Sequence, residues 1–482
     1  MIKILGFAPD ADPTSLGVLT DCTNVIPTIG GFRGAPAPAP VGVNTLAAPC
    51  RGAVLATELA GTRRLIAGTS AALYELASLS WTDRSRAGAP AYALAVDDGW
   101  SIVQYANTTL AVTPTAVVQR ALPAAAFANV AGSPQAKIIE AASGFAVVFN
   151  TSSFVDEWYC SAYLDPTDWV TSVTTQCVKG RLIGSPGPIT AAKRFGDNII
   201  AYKSTSMYIG QAVGAPESWR WTQVSTDVGC VGMNAVVDTP IGHIFMGIDG
   251  LYVFDGTRPR PLDIGMVREW LANEMVGGFK DKTQLLFDRD NGLVWCYYAP
   301  AGGGGVISRC LVIDVGGGRF GRANSTIQAV LSYSSGAFTY DSGSPLITTY
   351  DAASNPSISF DSGFWEGNAV SPAVFSSSNV LQTLAGVCGA ASFTTGDVGD
   401  DEGYRMCTEL RVRYVTAPTT SVASGFTKDH AGAPLSLESS GTQADGKHDL
   451  RQTGRWHRFS VATTGNFEVT AFRPKFMEAG AR

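Results

Sequence analysis

Short runs that alternate apolar and polar residues, each broken by a tight polar turn, recur along the chain. They stand at RRLIAGTSAALYEL (63–76), SIVQYANTTLAVTPT (101–115) and GFAVVFNTSSFVDEWY (144–159). They return at DNIIAYKSTSMYIGQ (197–211), GHIFMGIDGLYVFDG (242–256) and TQLLFDRDNGLVWCYYA (283–299), with a weaker copy at 329–351. Alternation with period two places one face of each run against a core, and Asp249-Gly250 and Asn291-Gly292 are the residue pairs that tight hairpin turns favour. Each run therefore reads as an antiparallel hairpin.

The turn centres fall near 69, 107, 151, 204, 249, 291 and 336, about 38 to 53 residues apart. A period of roughly 40–50 residues with about four strands per period is that of a β-propeller. The expectation is an all-β fold, a β-propeller body of six or seven blades over residues 46–365, with helix below about a tenth of the chain. A pair of β-sandwiches is the alternative and would show shorter, less regular spacing. One helix is expected over Ile264–Met275, with Asp263 as its cap and Ile264, Val267, Leu271 and Met275 on its buried face. Residues 1–45, rich in proline and glycine, read as an extended N-terminal arm that packs with the region after Gly403 or closes the propeller ring with it. Residues 366–482 read as a β-rich C-terminal region for interfaces, carrying strands such as TELRVRYVTA, GRWHRFSVAT and NFEVTAFRP.

Composition narrows the class. Of 482 residues, 45% are hydrophobic and 16% charged, which excludes a disordered chain and a charged coiled coil. The formal net charge of −6 argues against a protein that wraps nucleic acid in a basic surface. Residues 403–482 hold 11 Lys+Arg and 7 Asp+Glu, a net of +4, which leaves −10 for the rest. Such asymmetry suits docking between unlike surfaces, so Arg411, Arg413, Arg455 and Arg458 are expected at contacts with acidic neighbours. Nine scattered cysteines without a C-x-x-C pair read as buried reduced thiols. Neither a signal peptide nor an apolar run of membrane-spanning length is read, so no membrane anchor is expected.

Candidate chemistry is sparse. Gly316 to Gly321 matches G-x-G-x-x-G, but strand-like sequence follows where a dinucleotide site needs a helix N-terminus. Gly302 to Gly305 reads as a hairpin tip. Ser225-x-Asp227-x-Gly229, Thr339-x-Asp341-x-Gly343 and Ser359-x-Asp361-x-Gly363 resemble the turn-bracing Asp box of propellers. Arg455 and His457 share one strand face, which could meet phosphate or solvent. Asp397, Asp400, Asp401 and Glu402 make an oxygen-rich loop that calcium could use. Asp156/Glu157 and Asp165/Asp168 are paired carboxylates equally suited to turns. No catalytic, cofactor-binding or metal residue is assigned, no cofactor is expected, and the chain is not read as an enzyme.

Several stretches together resemble the tail nozzle (tail hub, or packaged-DNA stabilisation) proteins of short-tailed bacteriophages. These are Cys22-Thr23-Asn24-x-x-Pro27, Gly30-Gly31-Phe32-Arg33, WYCSAYLDPTDW (158–169), Gly184 to Tyr208 and FMGIDGLYVFDG (245–256). Phe393 to Asp397 and Gly454 to Phe459 complete the set. The resemblance implies a virion structural subunit assembled in the host cytoplasm and resident in the tail. Six copies would form a ring against the tail adaptor ring, with tail fibre or needle proteins as further partners. The ring would retain packaged double-stranded DNA and pass it at ejection without reading its sequence. A propeller glycan hydrolase and a host-receptor-binding module remain alternative readings.

Overall fold

The computed structural model describes residues 1–88, 91–275, 277–334, 370–430 and 432–479. The chain is 55% strand and 2% helix. Five separate four-stranded antiparallel sheets follow one another, at 53–83, 101–129, 136–181, 189–225 and 236–261. Two further blades are cut from the large remaining sheet. The strands Gln284–Asp288, Leu293–Tyr298 and Ile307–Asp314 pair in sequence with the first half of Phe320–Tyr333 and make the sixth. The second half of Phe320–Tyr333 then pairs with Ser371–Ser376, which pairs with Leu381–Gly386.

The last strand of that seventh blade comes from the other end of the chain. Ala37–Pro40 lies antiparallel on Leu381–Gly386, with Ala39 opposite Thr383 and Pro38 opposite Leu384. Prolines suit an outermost strand, because such a strand needs donors on one side only. The ring is then continuous, since apolar clusters fill the seams between neighbouring blades all the way round. Leu73, Trp100 and Ala111 join blades 1 and 2; Val112, Ile139 and Val148 join 2 and 3; Phe149, Ile199 and Trp219 join 3 and 4. Leu286, Trp295 and Val374 join 6 and 7, and Leu65, Leu331 and Phe375 close 7 onto 1. One larger cluster serves blades 4 to 6 and runs on into the C-terminal region.

That region is a β-sandwich built jointly by the two ends. One sheet stacks Val18–Thr23, Ala390–Thr395, Trp456–Thr464 and Thr420–Lys428; the other carries Ile2–Lys3, Glu468–Glu478, Arg405–Thr416 and Lys447–Gly454. It meets the propeller at the rim of blade 6, where Val25 pairs with Arg322. Residues 1–40 are thus woven into the sandwich and blade 7, so the N-terminal arm packs with the region after Gly403 and closes the propeller ring, as the sequence suggests. Strands of blade 7 also fall on both sides of the expected limits at 45/46 and 365/366.

The helix is shorter than the sequence suggests, Arg268–Glu274. Val267, Leu271 and Met275 are buried as expected, but Ile264 is 65% exposed. Asp263 does not cap it. Its buried carboxylate accepts the Leu251 amide and pairs with Arg268 at 3.0 Å. The free amides of Glu269 and Trp270 instead donate to Asp10, at 2.7 and 2.9 Å, so the N-terminal segment caps the helix across the domain junction.

The expected turns near 69, 107, 151, 204, 249 and 291 are all present, but not at one place in the blade. Those at 107 and 291 join the first and second strands, whereas 69, 151, 204 and 249 join the second and third. The turn near 336 and the Asp-box stretches at 339–343 and 359–363 lie outside the described residues.

Two outcomes test this architecture. Removing residues 1–45 strips the edge strand from blade 7 and should leave a chain that unfolds or aggregates, read by circular dichroism and size exclusion; an unchanged melting temperature contradicts it. Asp10→Ala should cost about 1 kcal/mol in denaturant titration by uncapping the helix.

Candidate functional site

Propellers present two places where several blades converge side chains: the axis and the junction with an added domain. The first strands of the seven blades line an axial cavity of about 800 Å³. Charge alternates around it. Asp98 faces Lys137 at 3.8 Å, Glu140 faces Lys193 at 3.2 Å and Asp97 faces Lys282 at 3.2 Å. Glu140's charge holds Lys193 above its ordinary value. With Arg51 and Asp281 added, four cations meet four carboxylates in the lining, so the axis has no net sign with which to hold a polyanion.

The junction is more strongly built. Asp397 is fully buried and carries two cations, Lys428 at 2.5 Å and Arg458 through two bonds of 2.8 and 3.1 Å. The N-terminal segment covers it, with the Asp397 amide donating to the Pro13 carbonyl and the Gly396 amide to Val18. Asn24 bridges the domains: its side chain donates to Ala390 in the sandwich and accepts from the Asn324 amide in blade 6. Asn24 has φ of 54°, in the left-handed region that asparagine tolerates well. Gly31 is required for close approach, since a Cβ there would lie 2.2 Å from the Val469 carbonyl oxygen.

The residues singled out by sequence take ordinary structural places. Asp400 pairs with Arg405 and accepts the Glu402 and Gly403 amides, while Asp401 accepts the Trp456 indole N–H. The carboxylates of this loop thus turn to separate nitrogen donors, and no group of three metal-binding side chains occurs among the described residues. Strand alternation at 455–458 is opposite to a basic solvent face. His457 is buried, Arg458 is held by Asp397, and the Arg455 guanidinium lies over the Tyr404 ring. Asp156 is paired with Arg181, and Glu157 is bonded to Thr151. Asp165 and Asp168 brace turns by accepting amides two residues on.

Gly316 and Gly317 donate to Asp314 in a tight turn that leads into a strand, as the sequence suggests. Gly302 to Gly305 lies in the turn between the second and third strands of blade 6. At 225–229 it is Ser225, and not Asp227, whose side chain accepts the turn amides, and the segment joins two blades. All nine cysteines are buried and free, and burial raises every thiol above its ordinary value.

Sequence reasoning missed Lys203. Its ammonium is fully buried and donates to the Leu182 and Ser185 carbonyls, both at 2.6 Å, which ties the turn of blade 4 to the end of blade 3. Burial lowers its pKa. Its only signal was a lysine ending an apolar strand run, which sequence alone cannot distinguish from a surface residue.

A scan of protein-family models finds no match for the chain, and neither does a search of curated proteins. Among solved structures it is similar to the computationally designed Ika8 protein, at 8% identity and TM-score 0.37 over 72% of this chain and 99% of that one. It is also similar to YCF48 from Cyanidioschyzon merolae, at 12% identity and TM-score 0.36 over 63% of this chain and 94% of that one.

The buried ions give two testable outcomes. Asp397→Asn leaves two cations without their carboxylate and should cost about 3–5 kcal/mol in urea unfolding; a loss below about 1 kcal/mol contradicts the cluster's role. Burial pushes His243 and His457 down from 6.5 to about 4. Between those values the unfolded chain binds protons that the folded chain does not, so stability is lost as pH falls through the window. The urea midpoint should therefore drop from pH 6.5 to 4, and a flat profile contradicts it.

Proposed function

We propose that the chain is a structural subunit of a short-tailed phage tail, six copies of which form a nozzle ring that retains packaged DNA and later conducts it. The single observation that carries this reading is where the resembling stretches meet. Phe393 to Asp397 and Gly454 to Phe459 lie on neighbouring strands, where the Phe459 amide donates to the Thr395 hydroxyl, and supply Asp397 and Arg458 to one buried ion cluster. Cys22 to Pro27 and Gly30 to Arg33 supply the Asn24 bridge and the strands beside it. Four of the resembling stretches, far apart in sequence, thus build the sandwich and its link to blade 6, which favours a shared architecture over a chance likeness of turns.

The DNA path in this reading lies between copies. Spread over a strand about 20 Å long, the axial cavity of about 800 Å³ averages to a bore of about 7 Å. The major groove of a duplex alone is about 12 Å wide, so a duplex does not fit through a single propeller. The tail adaptor ring, and fibre or needle proteins, are the further partners in this reading.

Native mass spectrometry of the full chain tests it. Hexamers are expected, together with DNA release from particles assembled without the protein. A monomer or trimer that binds host glycan, or glycan-cleaving activity, would replace this reading with the receptor-binding or hydrolase alternative.

A further inference from the structure

The outer face of one sandwich sheet is unusually basic. In the pairing of Arg405–Thr416 with Glu468–Glu478, Arg411 stands directly opposite Arg473, and Arg413 stands opposite Ala471, which itself pairs with Lys3. Lys475 stands opposite Glu409. On the other side Lys447–Gly454 adds Lys447, Asp449 and Arg451 to this face. Seven cations against Glu409 and Asp449 give a net of +5. Arg411 pairs with Glu409 at 3.2 Å and Lys447 with Asp449 at 2.8 Å, which leaves Arg473 facing a cation across the sheet, an arrangement that weakens strand pairing. Val415 and Met477 on the same sheet are 65% and 56% exposed.

A surface of the opposite kind lies on the propeller. The loop after Glu157–Cys160 in blade 3 exposes Tyr163, Leu164, Val170 and Val173, at 50%, 66%, 71% and 60%. Asp165 and Asp168 sit in that loop, with the Arg120 guanidinium near Asp165. Leu164 is held to Gly144, and the neighbouring Ser143 hydroxyl donates to the Asp197 carbonyl, which brings Asp197 to the same face; Arg194 bonds Gly196 in that hairpin, so three carboxylates stand with two arginines around the apolar cluster.

We infer that the basic sheet face docks on the apolar, carboxylate-bearing blade 3–4 face of a second copy of this chain. This rests on the ring proposed above and names the contact that builds it. The apolar residues on both surfaces favour a protein partner over a phosphate backbone, which offers them nothing to cover. Two different patches on one chain make a head-to-tail interface, the kind that closes into rings.

Sedimentation velocity on the full chain at low and high salt tests this. Assembly should weaken with salt. Arg411→Glu with Arg473→Glu should raise the apparent dissociation constant at least about 30-fold, and Asp165→Lys with Asp197→Lys should do the same. Mixing the two double variants should restore assembly, because their reversed faces match each other. Thermal melts within a few degrees of the parent show that the fold survives. Variants that assemble like the parent overturn the contact and leave the ring standing. A parent chain that stays monomeric at every concentration overturns both. Retardation of a DNA duplex that is lost in Arg411→Glu/Arg473→Glu, with assembly unaffected, reassigns the face to phosphate and overturns the proposal.

Discussion

A propeller is stable only as a closed ring, and closure is the constraint on which this molecule depends. Each blade buries its faces against two neighbours, so a gap between the first and last blades would expose two apolar faces at once. Here the gap is sealed by backbone pairing between residues about 345 positions apart, Ala37–Pro40 on Leu381–Gly386. Closure across so long a loop is entropically costly, and the apolar seam of Leu65, Leu331 and Phe375 offsets it.

The same N-terminal segment sets the position of everything outside the ring. Asp10 caps the helix beside blade 6, Asn24 links that blade to the sandwich, and Pro13 covers the Asp397 cluster. A change at either chain end is therefore felt in both domains. That coupling suits a subunit that must hold one shape under load, and it is what the proposed tail role would demand.

Much of the fold was legible because a strand's period of two and the chemistry of tight turns are local. Asp249-Gly250, Asn291-Gly292 and the runs around them declared their hairpins without help from the rest of the chain. The edge strand of the seventh blade was not legible, since APAP carries no alternation and acquires meaning only from a partner far along the sequence. The helix cap was misassigned for a similar reason: Asp263 was the nearest carboxylate in sequence, while Asp10 is the nearest in space. At 455–458 the strand begins only at Trp456, so Arg455 does not share a strand face with His457, which turns into the core. Asp397 looked like one of four carboxylates around a cation, and its true partners, Lys428 and Arg458, lie 31 and 61 residues away.

The most direct test of the whole account is an electron cryomicroscopy map of the assembled full-length chain. The account predicts a sixfold ring in which each propeller axis is offset from the ring axis and the central opening between copies is wide enough for duplex DNA. A ring of another order, or copies arranged so that no duplex-wide opening lies between them, would contradict it.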